Sequence, residues 1–190
     1  DRFHEEKIIS TGMAGPFTTA VSLVGTERFL RDSVRKKDEI RKLLRYSTDC
    51  VISCARDLHE RLGISISLSE PMASGNIISK KQFQDLVLPY LSETVEAMNR
   101  FQGGTGIHIC GKTKDRWDAI VESGISSFSI DNCENMEELK DAYGTRIGIS
   151  GNVEPVDVLK NGTPEMIRQS VIRCLSQAVD NPKGFTLCPG

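Results

Sequence analysis

The sequence predicts an α/β fold, a (β/α)8 TIM barrel, and two patterns carry that expectation. Short apolar, β-branched segments alternate with helical ones along the whole chain, the pattern of a parallel sheet with helical crossovers. Nearly every strand also delivers a polar or reactive residue at its C-terminal end: Gly12, Glu70, His108 and Cys110, Asp131 and Asn132, Gly151 and Asn152, and Cys188. A closed barrel gathers all such ends around one mouth, whereas a doubly wound sheet collects only those beside its switch point. Six strands are legible, and the chain starts without Met and stops on Pro189-Gly190 directly after a strand. The expectation is therefore a partial barrel in one domain, 1–190, lacking its first two strands and its last helix. Open sheet edges would make such a piece self-associate or leave it marginally stable.

The elements follow in order. Lys7-Ile8-Ile9-Ser10-Thr11-Gly12 is the first strand, running into the turn signal Gly15-Pro16-Phe17 and a short helix. Glu27 to Leu62 sets charged residues such as Arg31, Lys37, Glu39, Arg41, Arg45 and Arg56 against Ile40, Leu43, Leu44, Val51, Ile52, Ala55 and Leu58, and its length suggests two helices. Gly63 is the helix stop, and Ile64 to Glu70 alternates strictly as a strand. Ser79-Lys80-Lys81-Gln82 has the form of a capping box opening a helix to about Arg100. Strands at Ile107–Cys110, Ile125–Asp131 and Arg146–Ser150 precede helices at about Lys114–Ser123, Glu134–Tyr143 and Glu154–Leu159, the last joined by a helix capped at Thr163. Phe185–Cys188 is the sixth strand.

Composition narrows the class. The 190 residues are 38% hydrophobic and 26% charged, enough for a real core. A net charge of −2 and a pI of about 6.0 provide no basic field for a nucleic-acid backbone or an anionic membrane. No apolar run approaches the roughly 20 residues of a membrane span, and no signal peptide opens the chain, so a cytoplasmic protein is expected. The 6 cysteines lack the dense spacing of a disulfide scaffold and read as reduced thiols.

The chemistry concentrates at His108-Ile109-Cys110. In a strand alternate side chains share a face, so His108 and Cys110 point together while Ile107 and Ile109 pack behind. An imidazole and a thiolate so placed are half of a zinc site, and a catalytic zinc keeps one position open. The competing reading is a buried strand that happens to hold two polar residues. Glu70 ends its strand beside the same mouth, as a fourth oxygen ligand or as the partner orienting His108. Other features read as structural. Cys50 and Cys54, one helical turn apart near His59, are expected as core fillers; Gly103–Gly106 precedes a strand and so is a loop, not a phosphate cradle. His4 is expected in solvent and Trp117 in helix packing. The basic run Arg35–Arg45 reads as a solvated face, with docking of an acidic partner protein as the alternative.

Four motifs resemble the uroporphyrinogen decarboxylase superfamily: Gly12-Met13-Ala14-Gly15-Pro16-Phe17-Thr18, Gln82 to Leu91, Ile149-Ser150-Gly151-Asn152-Val153-Glu154-Pro155, and the terminal Pro189-Gly190. The resemblance covers essentially the whole chain and implies the C-terminal part of such a barrel. Within the superfamily, His108-Ile109-Cys110 and Cys188-Pro189-Gly190 resemble the corrinoid-dependent methyltransferases of the methylcobamide:coenzyme M type; the decarboxylases lack zinc ligands and typically carry a Gly-His-Gly at the second place. The resemblance implies Zn²⁺ as cofactor and a separate corrinoid protein as partner carrying methylcobalamin. It further implies methyl transfer to a thiol such as coenzyme M, or to a folate nitrogen. It sets the third zinc ligand at a Cys directly after Pro-Gly, so here either the residue following Gly190 or Cys188 joins His108 and Cys110. Glu70, Asp131 and Asn152 are the candidate catalytic residues, the last two as polar pocket positions. The alternatives are uroporphyrinogen decarboxylation and a non-catalytic superfamily barrel with inert cysteines.

Overall fold

A computed structural model describes residues 9–190. Its framework is a parallel sheet of six strands in the order of the sequence: β1 (Ser10–Ala14), β2 (Ser65–Ser69), β3 (Gly106–Ile109), β4 (Ser127–Ile130), β5 (Gly148–Val153) and β6 (Phe185–Pro189). The order never reverses, so no switch point exists; this is the singly wound succession of a (β/α)8 barrel, with β1 and β6 at the edges among the described residues. Lys7 and Ile8 of the expected first strand, and His4, lie outside the described residues. The helices are α1 (Pro16–Val24), α2 (Thr26–Arg35), α3 (Lys37–Leu62), α4 (Lys80–Leu86), α5 (Leu88–Gln102), α6 (Trp117–Glu122), α7 (Met136–Tyr143) and α8 (Pro164–Ala178). No described helix is long and apolar enough to cross a membrane.

Local chemistry explains most boundaries. The Glu27–Leu62 stretch is two helices, and α3 stops where Gly63 turns left-handed (φ 65°) and donates its N–H to His59 O at 2.8 Å. The Ser79–Gln82 capping box forms in full. The helix expected to run unbroken to Arg100 instead divides at Val87, because Pro89 has no N–H and is accommodated in the first turn of a new helix. The segment after β5 is a π-helical turn, Pro155–Lys160, and β5 itself runs on to Val153. Cys50 and Cys54 are exposed rather than core-filling, since α3 turns Ile40, Leu44, Thr48, Val51 and Ala55 inward. Trp117 packs as expected, with its Nε1 donating to Thr113 Oγ1 at 3.1 Å.

The two faces of the sheet differ in character. Against the helices lie Ile66, Leu68, Ile107, Ile109, Phe128, Ile130 and Ile149, each 2% exposed or less. The opposite face, in register, carries Ser67, Gly106 and Ser127 in one row and Ser69, His108, Ser129 and Ser150 in the next. A Cβ on Gly106 would lie 2.7 Å from Ser127 Oγ, so these small residues are closely apposed. Where many barrels fill this space with branched aliphatics, here hydroxyls surround the one imidazole.

Candidate active site

His108 and Cys110 meet at the C-terminal end of β3, with His108 Nε2 at 3.0 Å from Cys110 Sγ. On the other side of the ring, Nδ1 lies 3.1 Å from the Ser129 carbonyl oxygen and 3.1 Å from its hydroxyl. A carbonyl only accepts, so Nδ1 carries the proton and Nε2 presents its lone pair toward the thiol. That is the tautomer a metal-ligating imidazole requires, fixed by a backbone partner. Burial pushes the Cys110 thiol up, and the charge of Asp131 adds to it. Among the described residues no three His, Cys, Asp or Glu side chains gather as a metal-holding group. The His108–Cys110 pair offers two donors of the kind zinc takes, and no third stands beside them among the described residues.

The loop after β3 is held by carboxylates from the next strand's loop. Asp131 Oδ2 accepts the Gly111 N–H at 2.7 Å and its Oδ1 the Cys133 N–H at 2.9 Å. Burial disfavours its charge, but these N–H donors outweigh burial and hold Asp131 below the usual carboxylate range. Glu134 Oε1 accepts from the backbone of Thr113 and, at 3.0 Å, of Lys114. Asn76 Oδ1 accepts the Lys112 N–H at 2.8 Å. Gly111 makes the turn with φ 72°, and a Cβ there would lie 2.7 Å from Ser74 Oγ. Cys133, beside Asp131, is pushed up to about 11, first by burial and then by that charge.

The remaining expected residues serve elsewhere. Glu70 stands at the same end of the sheet as His108, its N–H donating to His108 O at 2.8 Å, as the strand-end pattern requires. Its carboxylate, fully buried, turns away to α1, where Oε1 accepts the Phe17 N–H at 2.9 Å and Oε2 the Thr18 N–H at 2.7 Å. It caps a helix that has no cap of its own. Burial pushes it up to about 7 against the opposing hydrogen bonds. Asn152 is 3% exposed; it donates to the carbonyls of Asp131 (3.1 Å) and Glu134 (2.9 Å) and faces Cys174 of α8. The strand alternation is interrupted at Gly151, φ 137°, which turns this side chain outward. Cys188 is half-buried on β6, and the Ser129 hydroxyl that meets His108 Nδ1 partly offsets the effect of burial on its thiol. Its thiol is raised by burial. Ser129 and Glu134 were missed by sequence reasoning; the strict alternation of β4, with Ser127 and Ser129 opposite Phe128 and Ile130, was the available signal for the first.

The family model described as Uroporphyrinogen decarboxylase (URO-D) matches residues 1–190. A methylcobamide:CoM methyltransferase, MtbA of Methanosarcina acetivorans, is 27% identical over 179 residues, covering 94% of this chain and 52% of its own. A uroporphyrinogen decarboxylase of Psychromonas ingrahamii is 30% identical over 105 residues, covering 54% of this chain and 29% of its own. A solved methyltransferase from Methanosarcina mazei superposes with a TM-score of 0.87 at 24% identity, over 99% of this chain and 55% of that one. The chain thus spans about half the length of the curated methyltransferases it matches.

Proposed function

The chain belongs to the uroporphyrinogen decarboxylase family, and from that premise we propose that it is part of a zinc-dependent methyltransferase moving a methyl group between a protein-borne corrinoid and a thiol such as coenzyme M. The observation that carries this reading is the His108–Cys110 pair, with Nδ1 of the imidazole held by Ser129 and Nε2 turned to Sγ. The relatives named as methylcobamide:CoM methyltransferases match nearly the whole chain, and decarboxylases match 54% of it at 30% identity or 88% of it at 25%, so the choice between the two activities rests on the His108–Cys110 pair. As a decarboxylase or an inert barrel, the chain would leave this pair without a task.

When bound, zinc keeps a substrate thiol as the thiolate at neutral pH, the form that attacks a methyl group. His108 and Cys110 supply two ligands, and Ser129 holds the imidazole. Asp131 fixes the turn that follows Cys110. Burial and then Asp131 disfavour the Cys110 anion, so Cys110 would hold the ion as a thiolate only at the cost of releasing its proton. Cys188 is the candidate third ligand within this chain, and Gly190, two residues on, packs on the Asn132 backbone next to Asp131. Glu70 acts through α1 and the strand end rather than as a ligand. A folate nitrogen is the alternative acceptor.

The test is Cys110→Ala, assayed for zinc content and for methyl transfer from methylcobalamin to coenzyme M, with circular dichroism as the fold control. Both zinc and transfer should be lost with the fold intact. Stoichiometric zinc and normal transfer would replace this reading by the non-catalytic barrel.

A further inference from the structure

The basic run at the α2–α3 junction forms a rim on the reactive end of the sheet. Helix α3 has 26 residues and ends at Gly63, just below the start of β2. At 1.5 Å per residue it is about 39 Å long, against about 17 Å for a five-residue strand. Its first turns therefore extend beyond the strand ends, on the side where His108 and Cys110 lie. There Lys37 and Arg41 share a cavity of about 230 Å³ with Lys81 at the start of α4, with one acid, Asp85, and with Val34, which is 67% exposed. Lys36 and Arg35 continue the same surface.

The charges on this rim are weakly compensated. Lys36 and Arg41 meet Glu39 and Asp38 only at 3.6 and 3.9 Å, between largely exposed groups. Arg35, Lys37, Lys42 and Lys81 make no ion pair among the described residues. Shorter pairs stand close by, as in Arg45 with Asp49 at 2.8 Å and Lys80 with Asp118 at 3.0 Å. Arg35, Lys36, Lys37, Arg41 and Lys81 outnumber Asp38, Glu39 and Asp85 on this rim, and a net positive patch on a chain of net charge −2 is a local field rather than a general property of the surface. An exposed Val amid cations gives it the apolar centre and charged border of a protein contact.

We propose that Lys37, Arg41 and Lys81, with Val34 between them, form the docking surface for an acidic protein, the one that delivers the methyl group to the mouth. The identity of the delivered group rests on the function proposed above; the acidic character of the partner rests on the rim itself. Fluorescein-labelled poly-L-glutamate serves as the probe, followed by anisotropy over a range of salt concentrations. The unmodified protein should bind it at low salt, weaken as salt rises, and lose at least tenfold in the triple variant Lys37→Glu, Arg41→Glu, Lys81→Glu. A matched triple reversal at the opposite end of the sheet, Arg61→Glu, Arg146→Glu, Lys183→Glu, should leave binding within twofold. In the methyl-transfer assay the rim variant should lose at least tenfold in kcat/KM with a corrinoid-protein donor and stay within twofold with free methylcobalamin. Equal losses in the two triple variants, or no binding by the unmodified protein, would overturn the docking surface. So would equal slowing with both donors. Selective binding at the rim with no methyl transfer from either donor would retain the acidic partner and remove the function.

Discussion

Glu70 and His108 end neighbouring strands and are joined by one backbone hydrogen bond of 2.8 Å, yet they serve different ends. Both are polar residues at the C-terminal limit of an apolar strand. The Glu70 carboxylate is fully buried with both oxygens taken by N–H groups of α1. His108 is partly open, with Nδ1 satisfied and Nε2 left for Cys110 and whatever joins it. The difference teaches that a polar strand end becomes a site only where the backbone has not already claimed its polar atoms. Glu70 stabilises; His108 and Cys110 remain available for chemistry.

The comparison breaks first at Glu70. Glu70→Ala removes the acceptor of two buried N–H groups and opens a hole beside Gly15. It should lower stability by about 4 kcal/mol in urea denaturation. A cost below about 1 kcal/mol would mean that the α1 cap is ornamental and Glu70 free for catalysis. His108→Ala, by contrast, should leave the fold within about 1 kcal/mol of the parent, since the ring borders solvent.

The same carboxylate sharpens the contrast through pH. Its folded pKa is pushed up to about 7 from an ordinary 4.5. Below pH 4.5 it is protonated in both states and its contribution is complete. Between 4.5 and 7 the unfolded chain ionises while the folded one retains the proton, so stability falls as pH rises, by roughly 3 kcal/mol. Measured against Glu70→Gln, the parent should lose stability across that window; a flat difference would place the carboxylate in water.

Asn152→Ala comes next, at about 2 kcal/mol, because it strips donors from the carbonyls of Asp131 and Glu134 in a site 3% exposed. Thermal unfolding reads the cost. If instead stability held and only methyl transfer failed, Asn152 would belong with His108.

The architecture and the His-x-Cys corner were legible in the sequence because each rests on a local rule: period-two strands, the capping box at Ser79, the glycine stop at Gly63, and two residues sharing a strand face. The one missed break, at Val87, also had a local cause in Pro89. What the sequence concealed was long-range. Nothing adjacent to Glu70 announces that its oxygens reach Phe17 and Thr18, more than fifty positions earlier. The turn of Asn152 toward α8 depends on Gly151 leaving the strand conformation. Ser129 and Glu134 matter only through partners about twenty residues away, which no spacing rule connects.

The smallest expected effect falls on the clamp that links the two kinds of residue. Glu134 is only half-buried, so in Glu134→Ala water can replace it as acceptor for Thr113 and Lys114, and stability should drop by no more than about 1 kcal/mol. Gly111 keeps its bond to Asp131, so the loop remains attached at its first residue and loosens only beyond it. Hydrogen exchange should therefore quicken at Thr113 and Lys114 and not at Gly111. Zinc affinity should weaken by about tenfold, the lower end for partners that orient ligands without touching metal. Glu134→Gln keeps a carbonyl acceptor and should restore both readouts. A stability loss above about 2 kcal/mol would place Glu134 with Glu70 as part of the frame, and unchanged exchange would show that the loop holds its shape without the clamp.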